Sequence, residues 1–490
     1  MSSDLPPTDG LDPQIDDQIL LDAEDAAEEV AENDDADLPM DSDPEETIEE
    51  AIQLQNDSIA HFDAHTDSIF CIAQHPGDQA IVATGGGDDI TYVWSSSPPS
   101  RPLPASYEFA PSERASSEPI AKLTGHTDSI NAITFTIPSG SYLVTGGLDG
   151  QIRVHTTSDP TYPLLVSAQE VPEVNFLAPC PNPSYPDTFA LGASDGSVWV
   201  YTINAAEKDN ELQVIQAYYL HTEACTAGTW TNDGKLLATV SEDGTFYVWD
   251  PFGEAAAKGI QGTGQAIVGL SPEDQRFAVD GGLYSVAIAP GGAFAVVGGA
   301  GGNIRVVGLP RFNVPADQGI KGGGARGKNA GAKKSGGPSG EGGQAGQILA
   351  SLQVQSDGIE TLAFSQPPMS LLAAGSVDGS IVLLDHAHRW TVRRHIKEAH
   401  DEFAVVKVDF VPPETGKQHL LTSCGMDGVV KRWDTRGGTA AGGQGLVGEW
   451  RGHRGEGEKG GVLGFVQGGE KARIVTAGDD SVSLVFDAYD

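Results

Sequence analysis

The feature that most constrains this chain is a unit of sequence that it repeats. The plainest copy begins Leu123-Thr124-Gly125-His126-Thr127-Asp128-Ser129-Ile130 and alternates to Phe135. Tyr142-Leu143-Val144-Thr145-Gly146-Gly147 follows, then a turn at Asp149-Gly150 and a short run Ile152-Arg153-Val154. Matching turns occur at Asp88-Asp89, Asp195-Gly196, Asp243-Gly244, Gly301-Gly302, Asp378-Gly379, Asp427-Gly428 and Asp480-Ser481, which makes eight units spaced by 61, 46, 48, 58, 77, 49 and 53 residues. Each unit holds three apolar runs of period two, and a fourth precedes the next copy. Such runs between turn residues are antiparallel strands. Four of them per ~40–50 residues is the pattern of a β-propeller blade. A blade buries its faces only against its neighbours, so 490 residues that length alone would divide into about three domains are expected to form one closed ring.

The predicted fold is therefore all-β: an eight-bladed propeller over residues 56–490 behind a tail of residues 1–55. The eighth unit ends at Asp490 after its third strand. Residues 58–62 are expected to supply the fourth and close the ring.

Charge divides the chain unevenly. There are 29 Lys+Arg against 69 Asp+Glu, a formal charge of −40. Residues 1–50 hold 20 of the acids, and the first base is Arg101. A segment so acidic cannot bury enough apolar surface to offset its ordering entropy, so the tail is predicted to be disordered. Ile15, Ile19, Leu20 and Leu21 interrupt the acids and could form a short helix on a partner. A second shift, over 315–346, mixes glycines with Lys321, Arg326, Lys328, Lys333 and Lys334 and reads as a flexible insertion. Within it, 322–328 imitates the start of a phosphate-binding loop. Asn329 stands where Ser or Thr would hold magnesium, and no apolar strand leads in, so the match is discounted.

Several classes drop out. No run approaches the ~18 apolar residues of a membrane span, and no basic-then-apolar leader opens the chain. Cys71, Cys180, Cys225 and Cys424 lie far apart, which fits a reducing compartment and gives neither a disulfide framework nor a cysteine metal site. A strongly negative surface repels phosphates, so direct nucleic-acid binding is not expected. The expected state is a cytoplasmic monomer that needs no cofactor or metal, with nuclear access left open.

One constellation imitates a catalytic triad. His65, Thr84, Asp88 and Trp94 recur as His221, Thr239, Asp243 and Trp249, and as His400, Ser423, Asp427 and Trp433. Thr145, Asp149 and His155 give a partial version, with His155 in the tryptophan place. An active site is normally made once, and here the set repeats with an indole donor added. That suggests hydrogen bonds tying strands together, with no catalytic residue.

The unit resembles the WD-repeat family. The resemblance is carried by Ala64-His65, Gly125-His126, Leu220-His221, Ala399-His400 and Gly452-His453, and by Trp249-Asp250 and Trp433-Asp434. It implies a structural role for the His–Thr/Ser–Asp–Trp sets. It also implies that the loop leading into each blade's first strand, and the residue before the turn aspartate, face one side of the disc. Aligning the units on Ile130 places acids in that lead-in loop at Asp67, Asp128, Glu173, Glu223, Asp280, Asp357 and the pair Asp401-Glu402. Glu242 and Asp479 precede the turn aspartate in units four and eight. Arg454, Glu456 and Glu458 break the series in unit eight. Carboxylates gathered round one opening would focus a negative potential and steer a cationic partner. They come from different blades and are too dispersed for one calcium shell.

The first unit narrows the match. Asp57-Ser58, Phe62, His65, Ser68-Ile69-Phe70-Cys71, Thr84-Gly85-Gly86-Gly87-Asp88-Asp89 and Val93-Trp94 are similar to the angio-associated migratory cell protein family. Its fungal members include a ribosome-assembly WD-repeat chaperone. That resemblance implies a non-enzymatic escort. It would bind the basic N-terminal segment of a newly made large-subunit ribosomal protein of the uL16 family on its acidic face during 60S assembly. The alternative is a scaffold in signalling or ubiquitin ligation, which would favour apolar and aromatic anchors over carboxylates.

Overall fold

The structure is a computed structural model that describes residues 55–98, 116–260, 262, 264–312, 344–437, 445–454, 460–469 and 472–488. The acidic tail up to residue 54, residues 315–343 of the basic insertion, and Glu456 and Glu458 lie outside the described residues.

Eight four-stranded antiparallel sheets follow one another along the chain. Blade one is Ile69–Gln74, Ile81–Gly86, Thr91–Ser95 and Pro119–Leu123, paired in that order. Blades two to seven repeat this arrangement. Blade eight takes three strands from the end of the chain, Val462–Gly468, Arg473–Gly478 and Ser483–Phe486, and its fourth from Ala60–Phe62. That strand pairs antiparallel, Ala60 opposite Val485 and Phe62 opposite Ser483. The first strand of each blade packs against its counterparts on both sides, and Ile69–Gln74 touches both Ile130–Phe135 and Val462–Gly468, so the ring is closed.

Burial peaks in the second strand of a blade, and first strands such as Ile69–Gln74, Cys225–Trp230 and Ile359–Phe364 are only part-buried. Second strands such as Thr188–Ala193 and Leu371–Ser376 are buried throughout, which is why they read as continuous small and apolar residues. Outermost strands such as Leu164–Gln169 alternate half-buried and exposed residues. The seams between blades are close. At several seams the second-strand residue that faces the first residue of the next blade is glycine: a Cβ on Gly85 would lie 2.6 Å from Ile130, on Gly146 2.5 Å from Val174, and on Gly375 2.7 Å from Val405.

All eight first strands carry a β-bulge after their first residue, between Ile69 and Cys71, Ile130 and Ala132, and at the equivalent places to Val462 and Gly464. A bulge leaves ladder groups unpaired. Here neighbouring blades use the first residue's carbonyl. Cys71 Sγ donates to Ile130 O, Asn131 Nδ2 to Val174 O, Asn175 Nδ2 to Cys225 O, and Thr226 Oγ1 to Leu283 O. Ser285 Oγ donates to Ile359 O and Cys424 Sγ to Val462 O. No conspicuous sequence motif announces these bulges.

Candidate functional site: the acidic face of the ring

In every blade the lead-in loop and the turn between strands two and three sit at the same end. A backbone N–H just after strand two donates to a lead-in carbonyl each time: Gly87 to Ser68, Leu148 to Ser129, Ser194 to Glu173 and Glu242 to Ala224. Ala300 to Gly282, Val377 to Gly358, Met426 to Ala404 and Asp479 to Gly461 complete the set. Turn and loop also meet across the seams. The turn glycine Gly150 is left-handed at φ 71°, and a Cβ there would lie 2.1 Å from Val171 O of the next lead-in loop. Gly302, at φ 71°, stands in the same relation to Gln355 O at 1.9 Å. Each acid-bearing loop thus rests on the turn of the blade before it, and the eight loops share one face.

The turns are held from inside. In blade one His65 Nδ1 bonds Asp88 at 3.0 Å, His65 Nε2 bonds Thr84 Oγ1 at 3.0 Å, and Trp94 Nε1 donates to the same hydroxyl at 3.3 Å. In blade seven His400 Nδ1 bonds Asp427 at 2.9 Å, its Nε2 bonds Ser423 Oγ at 2.8 Å, and Trp433 Nε1 donates to Ser423 Oγ at 2.9 Å. Blade four departs from the pattern. His221 Nε2 and Trp249 Nε1 both reach Thr239 Oγ1 at 2.8 Å, but Nδ1 meets Thr245 Oγ1 at 2.5 Å and lies 4.0 Å from Asp243. Asp243 instead accepts from the Thr222 and Thr245 N–H groups, because the hydroxyl two residues on competes for the imidazole.

Blade two holds His126 between Asp149 and Thr145 at 3.1 and 2.8 Å. His155 does not take the indole's part there: its Nδ1 turns to Tyr162 O at 2.9 Å. Blade eight has a set that the sequence reading passed over, His453 to Asp480 at 2.9 Å and to Thr476 at 2.7 Å. Its separations of 23 and 27 residues equal those in blade seven and were a usable signal. In blade six Gln355 takes the histidine's place and donates to Ser380 O at 2.9 Å.

These aspartates are structural. Burial pushes their carboxyls up, but the imidazole and backbone N–H groups outweigh it and hold Asp88, Asp149, Asp427 and Asp480 below the ordinary value. Asp378 is taken down to about 2: burial again opposes, and the Ser380 and Ser356 donors win. Burial lowers His221 to about 4, so its ring is neutral and sits behind the face as a spacer.

The predicted binding acids are on the surface. Asp67, Asp128, Glu173, Glu223, Glu242, Asp280, Asp357, Asp401 and Glu402 are all exposed. They do not share a single depth. Asp67, Asp128, Glu223 and Asp357 stand two residues before the first strand, Glu173 one residue before it, Asp280 three, and Asp401 and Glu402 four and three. Three of them also have local work: Asp67, Asp128 and Asp357 accept from the next residue's N–H at 2.8, 2.7 and 2.7 Å, which fixes the carboxylate's direction. Asp479 differs from the rest. It is half-buried and accepts from Ser68 Oγ at 2.6 Å, where it staples blade eight to blade one.

Two further acids belong to the face and were missed. Glu360 is the bulge residue of blade six, and desolvation by its surroundings and then the Asp357 charge raise its carboxyl above the usual value. Asp89, inside the first turn, is raised by desolvation and by Asp128, Asp88 and Asp149. Carboxyls that feel one another across blades are the local sign of a focused negative potential. Among them stand Phe70, 40% exposed at the bulge of blade one, and Tyr284, half-buried against Gly358.

The comparisons agree with this architecture. The WD domain, G-beta repeat family matches residues 56–95, 117–156 and 212–250. The crystal structure of Chaetomium thermophilum Sqt1 bound to the N-terminus of the ribosomal protein L10 is similar with a TM-score of 0.74 and 50% identity, over 89% of this chain and all of that one. The chain belongs to the Sqt1 family. The Sqt1 ribosome assembly protein of Saccharomyces cerevisiae is 29% identical over 487 residues, 93% of this chain and 92% of its own length. Human angio-associated migratory cell protein is 24% identical over 450 residues, 90% of this chain and 83% of its own. Sqt1 membership thus joins the two groups that the first blade resembles.

Proposed function

We propose that this Sqt1-family chain escorts a newly made ribosomal protein of the large subunit by holding its basic N-terminal segment on the acidic face of the ring, as a non-enzymatic step of 60S assembly in the cytoplasm. The observation that carries the reading is the convergence of exposed carboxylates from seven blades on one face, joined to a relative crystallised with the N-terminus of L10. An extended Arg/Lys segment is prone to aggregate and is drawn to RNA. Carboxylates at fixed directions neutralise it by charge-assisted hydrogen bonds and keep RNA away until transfer. The His–Asp sets then serve recognition indirectly, by fixing the loops on which the acids stand.

The test is charge reversal at residues whose side chains have no structural hydrogen bond or only a local one. Glu223→Lys, Glu242→Lys and Asp357→Lys together should abolish binding of a fluorescein-labelled basic N-terminal peptide at low salt, with the thermal melt unchanged. Parent affinity should fall steeply with added salt. Undiminished binding by the triple variant would refute the reading.

A further inference from the structure

Blade three is built differently from its neighbours, and the difference faces outward. It has no histidine, and Tyr201 stands where blades one, four and seven place Trp94, Trp249 and Trp433. Tyr201 is 1% exposed, and its hydroxyl has no hydrogen-bond partner among the described residues. Trp199, two residues earlier, stacks on it at 6.0 Å and 10° and stays half-buried, whereas Trp94 and Trp249 are wholly enclosed. Tyr219 leans edge-on against Trp199 at 5.9 Å and 82°. At 61%, Tyr219 is the most exposed large apolar side chain among the described residues.

The pair is rigid. Trp199 Nε1 donates to Ser197 Oγ at 2.9 Å, and Ser197 Oγ donates to Asp195 at 2.6 Å. It is also near the acidic face. The turn glycine Gly196 abuts Glu223 O and His221 O, so the platform lies outward of Glu223 along the same turn. Residues 154–234 contain 10 Asp+Glu and, of Lys and Arg, one residue, Lys208, in the loop at the opposite end of the blade; Arg153 of blade two is turned to the Thr124 and Gly125 carbonyls. Glu170 is exposed just past the outer strand of blade two and follows Gln169, whose amide donates to Asp149 O in that blade's turn, so it stands at the same end of the ring.

We infer that Trp199, Tyr219 and Glu170 form a cation–π platform on the upper outer rim of blade three that takes an arginine of the client beyond the stretch held by the carboxylates. This rests on the escort reading above. A guanidinium stacks on an indole or phenol face while its edge pairs with a carboxylate, and an exposed aromatic pair beside acids suits that ion better than an apolar ligand. Tyr and Trp at the rim give large contact area at low ordering cost.

The experiment uses the full chain and fluorescence anisotropy with two kinds of peptide, the basic N-terminal segment of the client and copies with single arginines replaced by neutral citrulline. Tyr219→Ser should weaken the parent peptide roughly fivefold, the equivalent of about 1 kcal/mol for such a contact. Tyr219→Phe should restore it, and Glu170→Gln should cost about twofold. At one citrulline position the Tyr219→Ser penalty should vanish, which identifies the arginine. Unchanged affinity of Tyr219→Ser, or a penalty that survives at every citrulline position, overturns the platform. If the Lys triple variant loses the peptide while Tyr219→Ser does not, only the platform falls. If the parent chain fails to bind the peptide, the escort reading falls with it.

Discussion

Closure of the ring by a strand from the far end of the chain can be tested through one side chain. Phe62 is fully buried, stacks on Trp94 at 4.9 Å and 3°, and meets Tyr92 edge-on at 5.4 Å. Its side chain reaches from the borrowed strand of blade eight to the third strand of blade one, so Phe62→Ala opens a cavity at the closing seam. Truncations of this kind in filled cores cost about 3–5 kcal/mol, and the enclosure by the rings of Trp94, Tyr92 and, at 6.1 Å, His65 puts this site at about 4 kcal/mol. Unfolding entropy is about 2.1 cal/mol/K per residue, so a unit spanning residues 53–490 melts with roughly 0.9 kcal/mol/K. The expected fall in Tm is therefore about 4 °C, read by calorimetry at a fixed scan rate. Two truncations frame the result. Removing residues 1–54 spares the strand and should leave Tm within a degree. Removing 1–62 takes the strand and exposes the edge Ser483–Phe486, so the loss should be at least that of Phe62→Ala. Equal melts for the two truncations would refute closure by this strand as a source of stability.

The remaining predictions concern the interior of the blades. His155 and His221 are buried neutral at about 4 against an ordinary 6.5, so the unfolded chain takes up protons that the folded chain refuses. Their stability is present above pH 6.5 and drains as pH falls toward 4, by roughly 3 kcal/mol for each ring. A melting temperature flat from pH 7 to 4 would contradict this. Asp378, lowered from 3.8 to about 2, adds a second loss as pH falls from 3.8 toward about 2, which Asp378→Asn should remove. Trp433→Phe deletes the bond to Ser423 Oγ but leaves His400 there, so it should cost about 1–2 kcal/mol in denaturant titration with peptide affinity unchanged. Weaker binding at unaltered stability would move the network from scaffolding to recognition.

The repeat made the fold legible because the chain writes the same periodicity eight times and the same turn aspartate seven times, with Gly301 in the remaining unit. It was clearest where a polar side chain has a single geometric duty, as His65 and Asp88 do. Legibility failed where a neighbour competes for that duty. Thr245 intercepts His221, and the His221–Asp243 separation of 22 residues is only one short of the 23 in blades one and two, a difference too small to announce the exchange. For the acidic face, sequence placed carboxylates in the right loops but at the wrong resolution. Asp479 looked equivalent to Glu242 and instead bonds Ser68 across a seam, which depends on the fold bringing residues 411 apart together. Glu360 escaped notice because its place on the face comes from a bulge in the ladder, invisible to an alternation of apolar and polar residues.

The bulged carbonyls also settle how freely such a ring can be rearranged. Each of six seams closes on a different residue, a thiol from Cys71 or Cys424, an amide from Asn131 or Asn175, and a hydroxyl from Thr226 or Ser285. The donors differ in length and meet their acceptors at 2.7 to 3.6 Å. A gene that duplicated, deleted or shuffled one blade would confront a carbonyl with a donor of the wrong reach and leave polar groups stranded in the interior. The repeat is thus uniform in its strands and individual at its joints. Blade order and blade number are written into the joints, and they keep the acidic loops in one fixed sequence around the opening.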